Sequence, residues 1–195
     1  PRPSNRPTGS WTRYRAKFLT EANISNGAAF WDRHAATLAR AEAQYGVPAQ
    51  FIVGILGVET RWGAYMGKPR IIDALATLAF DYPRRSAYFT GELEQFLVMT
   101  RDEGIDPFQP VGSFAGAMGL GQFMPGSFHK WAVDFDGDRH RNLWDVEDAI
   151  GSVANYFASH GWRRGAPVAV AARPANARAP QAGLGTRDTL ARHPA

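Results

Sequence analysis

The chain has 195 residues, with 22 lysines and arginines against 18 acidic residues, five histidines, no cysteine and a net charge of +4. At roughly 150 residues per domain this makes one large domain or a core with a small appendage, long enough to bury a core without covalent staples. The missing cysteines exclude disulfides, Cys-ligated zinc, iron–sulfur clusters and thiol nucleophiles.

The basic excess is nearly all arginine, the only lysines being Lys17, Lys68 and Lys130. It is scattered along the chain, which suits an anionic partner better than the concentrated patch of a nucleic-acid binder. The longest uncharged stretch, 107–128, is broken by glycines and prolines and so does not read as a membrane-spanning helix.

Taken in order, residues 1–10 form a polar, Pro-rich lead-in that is predicted to be flexible and lacks a signal-type apolar run. Residues 11–165 hold the aliphatic and aromatic content. Residues 166–195 are an Ala/Pro/Arg-rich segment too poor in large apolar groups to build a core alone. Phe30, Trp31, His34, Leu38 and Ala41 recur at helical spacing and predict one helix from Phe30 to Tyr45, ended by Gly46. Pro48 sits in the first turn of the next, which carries FIVGILGVETRW (51–62) and is closed by Gly63. Helices over Ile72–Phe80 and Ser86–Arg101 follow. A Gly-rich loop (112–126), an acidic loop (134–145) and a helix over Asp145–His160, stopped by Gly161, complete the pattern. Strand signals are weak and short. The predicted fold class is mainly α, a helical globule with its unusual chemistry in loops.

Three places carry that chemistry. Phe51, Ile55, Val58 and Trp62 share one helical stripe, and Ile52, Ile55 and Glu59 share its neighbour. Glu59 therefore projects from a mostly apolar helix near its C-terminal end. Apolar burial and the negative end of the helix dipole would both disfavour its anion, as a general acid requires. The same position also suits a rim glutamate paired with Arg61 or another arginine.

The Gly-rich loop, SFAGAMGLGQFMP, matches neither a dinucleotide fingerprint nor a Walker loop, so phosphate binding is not expected. Small residues would let a sugar chain approach the backbone, with Ser113 and Gln122 offering hydrogen bonds and Phe123 a face. A plain structural turn is the alternative.

The acidic loop, DFDGDRHRNLWDVED, has Asp134, Asp136 and Asp138 at positions 1, 3 and 5 and a backbone carbonyl at position 7, an oxygen set suited to Ca²⁺. It departs from the EF-hand with Arg139 at position 6 and Asp145 at position 12. Asp145, or Asp148 at position 15, could close the cage, and either could instead cap the following helix. Three alternating aspartates repel one another without a cation. A single such loop without a Met-rich groove points to a structural ion, not a sensor.

In this order and spacing, YGVPAQFIVGILGVETRWG, FAGAMGLGQFMPGSF and AVDFDGDRHRNLWDVEDAIGSVANYFASHGW resemble the B-type lytic murein transglycosylases, a lysozyme-like family acting on bacterial peptidoglycan. The resemblance covers residues 11–168. It implies an α+β lysozyme-like fold in which Glu59 is the single acid/base for the MurNAc–GlcNAc β-1,4 bond. The products would be 1,6-anhydromuramoyl ends. It implies that Ser113 and Gln122 lie beside Glu59, that Phe123 and Tyr156 line the cleft, and that Arg84, Arg85 and Tyr88 meet the glycan or its peptide. Tyr14 would stand at the cleft edge. One structural Ca²⁺ would be held by Asp134, Asp136, Asp138, the His140 carbonyl and Asp148. Glycan strands are the implied partner, with no nucleic acid. The protein would be a periplasmic monomer of a Gram-negative bacterium, attached to the outer membrane by an N-terminal lipid in a fuller form. Family members continue past HGW to a Tyr-Asn-containing stretch that completes the sugar cleft. Here residues 166–195 take its place, which implies a truncated form or a wall built otherwise. The rival activities are a hydrolytic muramidase and a catalytically silent, Ca²⁺-stabilised glycan-binding module.

Overall fold

The computed structural model describes residues 11–169. The lead-in 1–10 and residues 170–195 of the C-terminal segment lie outside the described residues. A compact unit ends at Arg164, and of a second unit beginning at Gly165 only 165–169, without helix, are described.

Eight α-helices follow in order among these residues: α1 (Trp11–Arg15), α2 (Glu21–Arg33), α3 (Ala35–Tyr45), α4 (Ala49–Thr60), α5 (Ile71–Asp81), α6 (Ser86–Asp102), α7 (Pro125–Trp131) and α8 (Val146–Ser159). A 3₁₀ turn, Pro83–Arg85, leads into α6. Strand content is limited to isolated antiparallel bridges, Arg70–Val111, Gly112–Met118 and Met118–Phe123. The mainly α expectation holds, and the β part is reduced to isolated bridges at and beside the Gly-rich loop.

Where apolar periodicity is clean, the predicted bounds stand within a residue or two, as in α5, α6 and α8. The predicted helix Phe30–Tyr45 is instead two helices. The chain leaves helical geometry at His34 (φ −114°, ψ 23°), whose N–H donates to the Phe30 and Trp31 carbonyls and ends α2. No glycine or proline marks that break. The start of α2 is also earlier, because Thr20 Oγ1 accepts the Asn23 N–H at 3.2 Å as an N-cap. The predicted loop end at 126 is in fact the first turn of α7, where Pro125 occupies a position that lacks an intrahelical N–H partner anyway.

The core is continuous. Leu38 of α3, Ile52 and Leu56 of α4, Leu75 of α5, Phe96 of α6 and Ile150 of α8 are all completely buried, each contributing about 1.5–3 kcal/mol by removal from water. α6 packs on α5 and α7, while α8 packs on α3 and α4. The buried line of α4 runs Ile52, Leu56, Thr60. It differs from the expected Phe51–Ile55–Val58–Trp62 stripe, and Val58 is left 55% exposed. In a helix that is apolar nearly all round, periodicity alone does not choose the inner face. Glu59 lies next to this line, not on it.

Candidate active site and metal loop

α4 ends abruptly at Thr60, one residue past Glu59. Arg61 and Trp62 both adopt the left-handed conformation (φ 50° and 56°), an arrangement costing about 1–2 kcal/mol per non-glycine residue unless the surroundings hold it. Trp62 supplies the hold. Its ring fills a notch where a Cβ on Gly57 would come within 2.6 Å and one on Gly27 within 2.9 Å, and its Nε1–H donates to the Val53 carbonyl at 2.9 Å. Thr60 completes the fastening: its Oγ1 donates to the Leu120 carbonyl at 2.9 Å and accepts the Gly63 N–H at 3.1 Å. The residue after Glu59 is thus tied directly to the Gly-rich loop.

Glu59 itself is exposed. The expected apolar burial of its carboxyl is therefore corrected: the helix turns its buried line past Glu59, leaving the side chain at the rim. The alternative pairing with Arg61 is not formed either, because that guanidinium lies over the Tyr65 ring at 5.1 Å.

The Gly-rich loop is held in shape by its own backbone. Gly119 must lack a side chain, since φ is 66° and a Cβ there would meet the Leu143 carbonyl oxygen at 2.2 Å. Ser113 Oγ accepts the N–H groups of Ala115 (3.2 Å) and Ala117 (3.0 Å), so its hydroxyl hydrogen is the part left to face a ligand. Gln122, at φ 52°, donates from Nε2 to Gly119 O at 2.9 Å and to Met66 O at 3.4 Å, leaving Oε1 as an acceptor.

Ser113 and Gln122 line one cavity of about 430 Å³ with Tyr65, Met66, Lys68 and Phe114. These last four were not legible as site residues. Phe114, 85% exposed, carries the one usable signal, an aromatic inside a small-residue loop. Phe123 is buried, its ring 5.6 Å from that of Tyr156, which is 37% exposed. The predicted lining pair is therefore one buried support and one surface ring.

Arg84, Arg85 and Tyr88 form a separate exposed group at the start of α6 and line neither this cavity nor the one beside α2. The Arg85 guanidinium lies 4.3 Å over the Tyr88 ring. Burial, then the neighbouring Glu92 carboxylate, pushes the Tyr88 phenol above its ordinary range. Glu92 also accepts the Gly126 N–H at 2.8 Å, linking α6 to the exit of the Gly-rich loop. Tyr14 packs on Phe18 with ring centroids 5.2 Å apart and lines neither cavity.

In the acidic loop, carboxylate oxygens of Asp134, Asp136 and Asp138 lie within 4.8 Å of one another, and so do those of Asp136, Asp145 and Asp148. The loop backbone wraps these acids. Asp134 accepts N–H groups from Gly137 (2.7 Å) and Arg139 (2.9 Å), Asp136 from Asp138, and Asp138 from His140. Desolvation works against the Asp134 carboxylate, but the N–H groups of Gly137 and Arg139 outweigh it and hold it below the usual range.

Asp148 is only 1% exposed and spans the loop, with Oδ1 accepting Phe135 N–H (2.6 Å) and Asp136 N–H (3.3 Å) and Oδ2 accepting Asn142 N–H (2.7 Å). Burial raises its carboxyl above the ordinary range against the pull of those N–H groups. Asp145 caps α8, its Oδ1 accepting the N–H groups of Glu147 (2.7 Å) and Asp148 (3.3 Å). All-oxygen donors converging on a buried acid fit a hard cation such as Ca²⁺, and these residues could hold one.

A helical globule with an acid at the end of a central helix, fastened to a Gly-rich loop, is a lysozyme-like fold. The chain belongs to the transglycosylase SLT domain family, whose sequence profile matches residues 2–193. Membrane-bound lytic murein transglycosylase B of Escherichia coli (strain K12) is 62% identical over 171 residues, 88% of this chain and 47% of that protein. The E. coli lytic transglycosylase Slt35, solved in complex with calcium, superposes with a TM-score of 0.80 at 63% identity, covering 83% of this chain and 52% of that one. Pseudomonas aeruginosa SltB3, solved in complex with NAG-anhNAM-pentapeptide, superposes with a TM-score of 0.78 at 36% identity, over 82% and 43% of the two chains. The chain spans about half the length of these relatives. Among the described residues, no helix is long and apolar enough to cross a membrane.

Proposed function

We propose that this chain cleaves the MurNAc-β-1,4-GlcNAc bond of peptidoglycan as a lytic transglycosylase, with Glu59 as its single acid/base. The observation that carries the reading is the fastening of the Glu59 helix end to the Gly-rich loop through Thr60 and Leu120. Glu59, exposed and without an arginine partner among the described residues, precedes the residue that makes this contact, and the loop so joined offers a hydroxyl donor and an amide acceptor.

Glu59 protonates the glycosidic oxygen and then, as carboxylate, takes the proton from the MurNAc C6 hydroxyl. That oxygen closes on C1 to give the 1,6-anhydro end, and no water enters. A second carboxylate is not required where the substrate's own acetamido group shields the cationic carbon, unlike the paired acids of most glycosidases. Ser113 donates to the sugar, Gln122 Oε1 accepts from it, and Phe123 supports the Tyr156 ring along the cleft. Arg84 and Arg85, with Tyr88, meet carboxylates of the stem peptide, and Tyr14 marks the cleft edge.

Asp134, Asp136, Asp138, the His140 carbonyl and Asp148 would hold one structural Ca²⁺, whose charge would tie the loop to α8. The setting is the periplasm, with outer-membrane attachment through a lipid in a longer form, and the protein works as a monomer on glycan strands without nucleic acid. Residues 11–165 act as the catalytic domain.

Mass spectrometry of muropeptides released from purified sacculi tests this. Anhydro ends, one water lighter than reducing ends, are expected. Reducing ends would make the chain a hydrolytic muramidase, and binding without release would make it a silent glycan-binding module.

A further inference from the structure

Glu103 stands at the C-terminal cap of α6 with its side chain only 6% exposed, and no step of the proposed chemistry uses it. Both of its oxygens are turned onto one short stretch of the acidic loop. Oε2 accepts the Arg141 N–H at 3.0 Å and lies 3.7 Å from His140 Nδ1. Oε1 accepts Arg141 Nε–H at 2.8 Å and lies 2.7 Å from its terminal nitrogen. The other face of that guanidinium rests on Phe128 at 4.6 Å. Two guanidinium nitrogens converge on one oxygen while the other oxygen takes the backbone N–H of the same residue, so charge-assisted contacts fix both ends of the carboxylate.

The bond to the Arg141 N–H matters most. That N–H and the His140 carbonyl belong to one planar, trans peptide unit, so they point in opposite directions. Anchoring the N–H to α6 fixes the carbonyl's direction away from α6. The His140 carbonyl is the backbone oxygen at position 7 of the loop, the one proposed ligand with no side-chain torsion of its own to adjust.

We propose that Glu103 is a positioning residue for the bound cation: held rigidly by Arg141, it aims the His140 carbonyl by gripping the opposite edge of the same peptide plane. This rests on the calcium reading of the loop.

Isothermal titration of Ca²⁺ into the chelator-treated, dialysed chain separates the two. The wild type binds. Glu103→Gln and Arg141→Gln each raise Kd about tenfold, the scale of outer-contact substitutions at metal sites. The pair of variants distinguishes aiming from simple charge. Removing the Glu103 charge weakens Ca²⁺ binding by Coulomb's law, but removing the Arg141 charge must strengthen it. Only loss of positioning weakens both. Tighter binding in Arg141→Gln overturns the proposal. So does an unchanged Kd in either variant, including one whose metal-free melting temperature alone has fallen. Absence of binding by the wild type overturns the calcium reading itself.

Discussion

Glu59 and Asp148 are two carboxylates of one core, and their surroundings are opposite. Asp148, near the start of α8, is almost fully buried and accepts three backbone N–H groups from both limbs of the acidic loop. Glu59, at the end of α4, is exposed, while the residues around it are fixed by Thr60 and the two left-handed residues Arg61 and Trp62. The difference is that between an acid that is itself restrained and an acid whose platform is restrained. Burial marks the acid that builds the loop. The acid proposed to work on a polymer stays at the rim, where a glycan strand can reach it and displace its water.

Substitutions can break this contrast. The largest effect is expected at Glu59: Glu59→Gln lowers turnover on sacculi by about 10³-fold, within the range for a positioned acid, and leaves the melting temperature unmoved. Asp148→Asn gives the opposite pattern. It sets an amide NH₂ against a backbone donor in a buried place, and a loss of about 3 kcal/mol, or roughly 6–12 °C, is expected by thermal denaturation. Chelation should act on the same region more mildly. Withdrawing Ca²⁺ held at 100 times its Kd costs about 2.7 kcal/mol, read as a lower melting temperature that returns on adding Ca²⁺.

Thr60→Val should blur the contrast by leaving the Leu120 carbonyl and Gly63 N–H without their partner. About 1–2 kcal/mol of stability is lost, with a fall in kcat measured on soluble glycan strands. The smallest effect belongs to the exposed arginines. Replacing Arg84 and Arg85 together by alanine raises KM for peptide-bearing strands about two- to fivefold and leaves peptide-free strands unaffected.

Much of this was readable in the chain, and the unread parts have physical causes. α5, α6 and α8 follow from apolar spacing with local stops, and the acidic loop from aspartates two residues apart, because each signal is contained within one segment. The break at His34 carries no glycine or proline, and α7 hides behind a proline that reads equally as loop or helix start. The sequence left burial and a rim position both open for Glu59, because α4 is apolar on both candidate faces. Only tertiary packing selects the line Ile52–Leu56–Thr60. The cavity residues Tyr65 and Lys68, and the grip of Glu103 on Arg141 across 38 positions, depend on long-range folding and leave no local trace.

The contrast between the two acids is tested most directly by assaying wild type, Glu59→Gln and Asp148→Asn side by side, with Ca²⁺ present, at a temperature where circular dichroism finds all three folded. The readout is release of anhydromuropeptides. The account predicts release by wild type and by Asp148→Asn, and none above background by Glu59→Gln. Continued release by Glu59→Gln, or its loss in a fully folded Asp148→Asn, would contradict it.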